Sequence, residues 1–196
     1  MDHIPIISPV LNYLMRFFNS DALHKAVKNG DIQKIQNLID KGYNVNSPDP
    51  HGITPLLYSI EMQNPNIVNL LIQNGADVNA KSKMGYTPLY YALDLKKADI
   101  VDLLLQNGAN PNFQDHEGKT YLHITSDAEL AKILIKYGAK LDIKDKHGRT
   151  PCENNRKLLN ILSSENQNQI DQEEVELVGA EEMFRKFGEL TGHFEG

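Results

Sequence analysis

Tryptophan is absent from this chain of 196 residues, and cysteine occurs once, at Cys152. A lone cysteine excludes an internal disulfide, so nothing points to an oxidising compartment, and the cytoplasm is the expected location. There is no excess of positive charge: 26 acids stand against 20 bases, a net charge of −6. Phosphate backbones are held by clustered Lys and Arg, so a nucleic-acid partner is not expected. No run of apolar residues is long enough to cross a membrane. The most apolar stretch, within residues 1–20, is short and interrupted by Pro5 and Pro9, and Asp2 stands where a secretory leader carries basic residues. The motifs Gly-x-Ser-x-Gly, His-Glu-x-x-His and Cys-x-x-Cys are all missing. Gly118-Lys119-Thr120 ends like a phosphate loop, but Phe113 occupies the place of the required earlier glycine. No catalytic residue, cofactor or small-molecule substrate is therefore expected. No metal site is expected either: His51, His116 and His147 recur about a repeat apart instead of converging on one point.

What the chain does contain is repetition. Gly52, Gly85, Gly118 and Gly148 are separated by 33, 33 and 30 residues, and Gly42, Gly75, Gly108 and Gly138 by the same steps. Two independent markers share one period and one shortening. Around the first set the chain reads Gly52-Ile-Thr-Pro-Leu, Gly85-Tyr-Thr-Pro-Leu, Gly118-Lys-Thr-Tyr-Leu and Gly148-Arg-Thr-Pro-Cys. Before the second set it reads Leu70-Leu-Ile-Gln-Asn, Leu103-Leu-Leu-Gln-Asn and Ile133-Leu-Ile-Lys-Tyr. A turn glycine suits a bend at positive φ; the threonine can cap a helix, and proline fits its first turn. The second glycine ends a second helix. Each unit is thus expected to be a helix pair with a projecting turn. One pair cannot bury its own apolar stripe, so neighbours must stack.

These motifs, Thr-Pro-Leu-x, Ile67-Val-Asn-Leu-Leu, Ile100-Val-Asp-Leu-Leu and Gly75-Ala-Asp-Val-Asn, resemble the ankyrin repeat. The resemblance covers residues 21–162 and implies an all-α solenoid of about five units with β-turn or hairpin tips. The units are expected at 21–48, 49–81, 82–114, 115–144 and 145–162, the terminal ones degenerate. There are departures. The histidine that follows Thr-Pro-Leu in the family survives at His24 and His123, but Leu57 and Tyr90 stand in its place elsewhere, and Tyr121 replaces proline. The fourth unit is three residues short between Leu122 and Gly138, so its helices or their link must be shorter. Cys152 takes a leucine position and reads as a small buried hydrophobe.

The resemblance further implies a scaffold that grips a protein partner through its turn tips and the exposed side of each first helix. At those positions the fold does not dictate residue type, so the residues present are informative. Ile53, Met62, Met84, Tyr86 and Leu95 are apolar and lie in the middle units, while His51, Lys119 and Arg149 are polar or basic. The expectation is an apolar centre at units two and three with a basic rim toward units four and five.

The flanks read differently. Residues 1–20 place Val10, Leu14, Phe17 and Phe18 on one helical face and suggest a cap on the first repeat, with a membrane-touching segment as the alternative. Residues 163–170 are a polar linker. Residues 171–196 form an acidic amphipathic tail, with Leu177, Ala180, Phe184 and Phe187 on one helical face; residues 165–196 together carry a net charge of −7. Three readings of the tail stay open: a cap, a segment that folds on a partner, and a secretion signal. The third rests on resemblance. Glu173-Glu174-x-Glu176 and Glu181-Glu182 resemble the glutamate block of Dot/Icm type IV secretion substrates, which would make the chain a bacterial effector acting on a host protein in the host cytoplasm. The alternative is a non-secreted adaptor or inhibitor; an enzyme housed in the tail is disfavoured.

Overall fold

The computed structural model describes residues 21–158 together with Asn160 and Leu162. The expected N-terminal cap (1–20), linker (163–170) and acidic tail (171–196) lie outside the described residues. The described residues up to Leu158 belong to one compact unit.

Helices follow one another in pairs: α1 (Asp21–Lys28) with α2 (Ile32–Asp40), α3 (Pro55–Glu61) with α4 (Pro65–Gln73), α5 (Pro88–Asp94) with α6 (Ala98–Gln106), and α7 (Tyr121–Ile124) with α8 (Ala128–Lys136). A short helix, α9 (Pro151–Asn154), opens a fifth unit, and residues 156–158 are again helical. No strand occurs among the described residues. The starts and stops follow the sequence signals. Thr54 Oγ1 accepts the Leu57 N–H at 3.3 Å and Thr87 Oγ1 accepts that of Tyr90 at 3.2 Å, while Pro55 and Pro88 sit in the first turn, where a missing N–H costs nothing. The second helices end at Gly42, Gly75, Gly108 and Gly138, each with φ between +79° and +86°.

The pairs stack in two rows. The first helices α1, α3 and α5 pack side by side, and the second helices α4, α6 and α8 do the same. Between the rows lies one apolar core. Leu56, Ile60, Ile67 and Leu71 of the second pair, Leu89, Ile100 and Leu104 of the third, and Leu122 and Leu134 of the fourth are all fully buried. These helices are seven to nine residues long, four in the case of α7, too short to be stable alone, so burial across pair boundaries must hold them. Cys152 is buried as expected, and burial pushes its thiol up to about 11.

A second tie runs along the loops after each second helix. Asn46 donates to Gly75 O (2.8 Å) and accepts from Asp77 N (2.7 Å). Asn79 does the same with Gly108 O and Asn110 N, and Asn112 with Gly138 O and Lys140 N. Each asparagine amide thus bridges two consecutive units with one donor and one acceptor.

The missing three residues come out of the first helix. From the capping threonine to the first residue of the second helix there are eleven steps in the second pair (Thr54 to Pro65) and in the third (Thr87 to Ala98), but eight in the fourth (Thr120 to Ala128). The helix α7 is left with a single turn. As a result α5 and α7 barely touch, whereas α6 and α8 stay closely packed. The stack is continuous along its second helices, and at that junction the first helices meet at the start of α7, where the Tyr121 hydroxyl lies against Thr87 Oγ1.

Candidate partner-binding surface

Each turn tip is closed by its own leading residue. Asp49 Oδ1 accepts the N–H groups of His51 and Ile53, both at 2.8 Å; Asp115 does the same for Glu117 and Lys119, and Asp145 for His147 and Arg149. The third tip has Ser82 in that place, and its hydroxyl accepts one N–H, from Tyr86 at 3.3 Å. Glycine is required at the second tip for more than its φ of +79°: a Cβ on Gly52 would lie 2.8 Å from the backbone nitrogen of Lys83. The tips approach each other there, and Lys83 N–H donates to His51 O. Lys146 N–H likewise donates to Glu117 O, joining tips four and five. Among the described residues no backbone hydrogen bond joins tip three to tip four.

The histidines explain which tips are tethered. His24 Nε2 donates to Ile53 O at 2.9 Å, pinning tip two to the preceding pair. His123 Nδ1 accepts the Thr120 N–H at 3.0 Å, so its proton sits on Nε2, which donates to Arg149 O at 3.0 Å and pins tip five. Leu57 and Tyr90 have no such nitrogen, so tips three and four lack this tether. Tyr90, Tyr121 and the three-residue deletion fall around one junction, between the third and fourth pairs.

Of the exposed large apolar side chains among the described residues, Met84, Tyr86 and Ile124 lie in the third and fourth units, while Ile32 and Met62 lie in the first and second. Met84, at tip three, is 76% exposed and Tyr86 37%. The Tyr86 ring stacks on Tyr90, with centroids 4.3 Å apart, and stands edge-on to Tyr91 at 6.0 Å. Burial, followed by the neighbouring Tyr86 and Asp94, raises the Tyr90 phenol above its ordinary value. Tyr90 was noted in the sequence at the family's histidine position but not assigned to the surface, and Tyr91 was not singled out.

The other expected residues are distributed more widely. Met62 is 50% exposed and Leu95 half-buried, and each is the C-cap of a first helix, α3 and α5 respectively. A seven-residue helix separates these caps from the tips by about 10 Å. Ile53 is half-buried within its turn. His51 is exposed and Lys119 half-buried. Arg149 differs from a free rim cation: its Nε and Nη2 donate to Asp145 Oδ2 at 3.1 and 2.9 Å. Burial acts to raise the Asp145 carboxyl, but the backbone N–H of Arg149, its guanidinium and the His147 N–H outweigh burial and hold it at about 2. Because the folded value lies below the ordinary one, this group stabilises the fold above about pH 4 and its contribution is lost as pH falls toward 2. The urea midpoint should decline over that window, and Asp145→Asn, which keeps the turn's acceptor but removes the ion pair, should flatten the decline.

Sequence reasoning also missed Ile124, which is 49% exposed at the end of α7, and the cleft beside it. This cleft of about 360 Å³ lies between Tyr90, Leu93, Asp94 and Lys96 of the third pair and Tyr121, Ile124, Asp127 and Leu130 of the fourth. Tyr121 is itself buried, with its hydroxyl 2.5 Å from Thr87 Oγ1, and burial pushes its phenol up to about 12. No cluster of three or more His, Cys, Asp or Glu side chains among the described residues is placed to hold a metal ion.

Comparison with known proteins bears on this architecture. The family model described as ankyrin repeats in three copies matches residues 23–115 and, overlapping, 96–172. The chain belongs to the ankyrin-repeat family. An ankyrin repeat protein of fowlpox virus (strain NVSL) is 36% identical over 69 residues, which is 35% of this chain and 49% of the relative. This ankyrin-repeat chain thus spans about half the length of the curated relative it matches. The family is typically non-enzymatic. No described helix is long and apolar enough to cross a membrane.

Proposed function

We propose that this ankyrin-repeat chain is a protein-interaction scaffold whose partner contacts centre on tip three and the adjoining face of α5. The observation that carries the reading is the exposed aromatic and thioether group of Met84 and Tyr86, backed by Tyr90 and Tyr91. Interface centres favour Tyr, which buries a large area for few lost rotamers, and Met, whose flexible, polarisable thioether adapts to the partner's surface. His51 and Lys119 on the neighbouring tips, with Met62 and Leu95 at the far ends of the first helices, form its margin. Arg149, held by Asp145, contributes a guanidinium at tip five. The partner is a protein; no catalytic step, cofactor or small-molecule substrate is part of the reading. A partner recovered by pull-down with the full chain should lose about 2 kcal/mol or more of binding free energy, roughly thirtyfold in Kd, with the Met84→Ala/Tyr86→Ala double variant. Unchanged affinity would remove tip three from the map.

The finer reading, of a secreted effector that binds a host protein, rests on the glutamate clusters of residues 173–182. A translocation reporter fused to the chain with and without residues 165–196 tests it: delivery only with the tail supports it, delivery that persists without the tail removes the tail as the signal, and no delivery of either form leaves a non-secreted adaptor or inhibitor.

A further inference from the structure

We propose that the cleft between α5 and the one-turn α7 receives a helical segment of a partner protein that presents a Leu or Ile anchor with a Lys or Arg one turn away. The proposal rests on the scaffold reading and adds a second, separable subsite to it.

The cleft is the space of a missing helical turn. The residues absent from the fourth pair are the counterparts of Ser59-Ile60-Glu61 and of Ala92-Leu93-Asp94. In the regular pairs the middle residue of that triplet is a buried aliphatic: Ile60 is fully buried and Leu93 nearly so. Here no such residue follows, and Leu93, Tyr121, Ile124 and Leu130 border the opening instead. What would restore the packing is one aliphatic side chain carried on a helical turn, and a partner helix laid in a groove supplies that.

Charge narrows the choice further. Asp94 and Asp127 lie at the cleft against a single cation, Lys96. Asp127 is fixed in place, its Oδ1 accepting the N–H groups of Glu129 and Leu130 at 3.0 and 3.2 Å. Asp94 is exposed and forms no ion pair with any described residue. A basic side chain three or four residues from the anchor shares its helix face and reaches this rim. The cleft is also continuous with the candidate surface, since Tyr90 both lines it and stacks on Tyr86.

The test is selection of a displayed library of helical peptides, about 12 residues or roughly three turns long, on the full chain. Affinities of the selected peptides follow by fluorescence polarisation. Enriched sequences should carry Leu or Ile with Lys or Arg three or four positions away. Ile124→Glu and Asp94→Lys, both at exposed positions and checked by thermal melting, should each weaken binding about tenfold or more, while Met84→Ala, at tip three and not among the cleft's lining residues, should change it less than twofold. Selected peptides indifferent to Ile124→Glu and Asp94→Lys would overturn the proposal, and if they respond to Met84→Ala/Tyr86→Ala the scaffold reading survives without this subsite. A concentration-dependent dimer in sedimentation, abolished by Ile124→Glu, would also overturn it by making a second copy of the chain the occupant.

Discussion

Leu104→Ala should cost about 2–5 kcal/mol of folding free energy, read as a fall in the urea midpoint. Leu104 is fully buried in α6, the second helix of the third pair. Its helix packs on α5 within the pair and on α4 and α8 on either side. Those neighbours are short helices that cannot collapse around a void without giving up contacts of their own. Domains of this size hold about 5–15 kcal/mol in total, so the variant should be near the edge of stability. The location matters as much as the size of the effect. At the junction with the fourth pair the first helices barely touch, and α6 against α8 carries most of the packing there together with the Asn112 bridge.

Gly52→Ala should be markedly worse than Gly85→Ala, although the two glycines have nearly the same backbone, with φ of +79° and +82°. An alanine in the left-handed region costs about 1–2 kcal/mol wherever it is placed. At Gly85 that is the whole cost, because a Cβ there meets nothing within 4 Å. At Gly52 the Cβ would lie 2.8 Å from Lys83 N and 2.9 Å from Lys83 Cγ. The lysine side chain can swing away, but the backbone nitrogen cannot move without displacing tip three and breaking its bond to His51 O. The further loss comes chiefly from the backbone of tip three, which must shift to relieve a contact under 3 Å. Equal losses in the two variants would mean that tips two and three do not approach as described.

The comparison of these glycines shows what was legible in sequence. The need for positive φ could be read from the turn motif at both positions. The close approach at Gly52 but not at Gly85 could not, because it depends on where the next tip lies in space. The same division runs through the rest of the molecule. Thr54, Thr87, Pro55 and Pro88 announced helix starts because capping is a local matter of three or four residues. The shortened fourth unit was countable, yet sequence left open whether helix or link absorbed the loss. The structure takes it from α7, since Thr120 and Asp127 each keep a cap and only the residues between them can go.

The surface was read less completely. Met84 and Tyr86 were evident from their tip positions. Tyr90 and Tyr91 were not, because a seven-residue helix gives too little periodicity to assign faces. Arg149 read as a free cation, and its pairing with Asp145 four residues earlier shows only once the turn is closed. Ile124 carried no signal in the sequence; it is 49% exposed at the end of a helix cut to one turn.

The central claim is that successive helix pairs share one core, leaving tip three and its neighbours free to bind. Amide hydrogen exchange on Leu104→Ala tests this most directly. A shared core predicts that protection falls not only in α5 and α6 but also at Ile67, Val68 and Leu71 of α4 and at Leu130 and Leu134 of α8. Loss confined to the third pair, with α4 and α8 protected as in the unaltered chain, would contradict it.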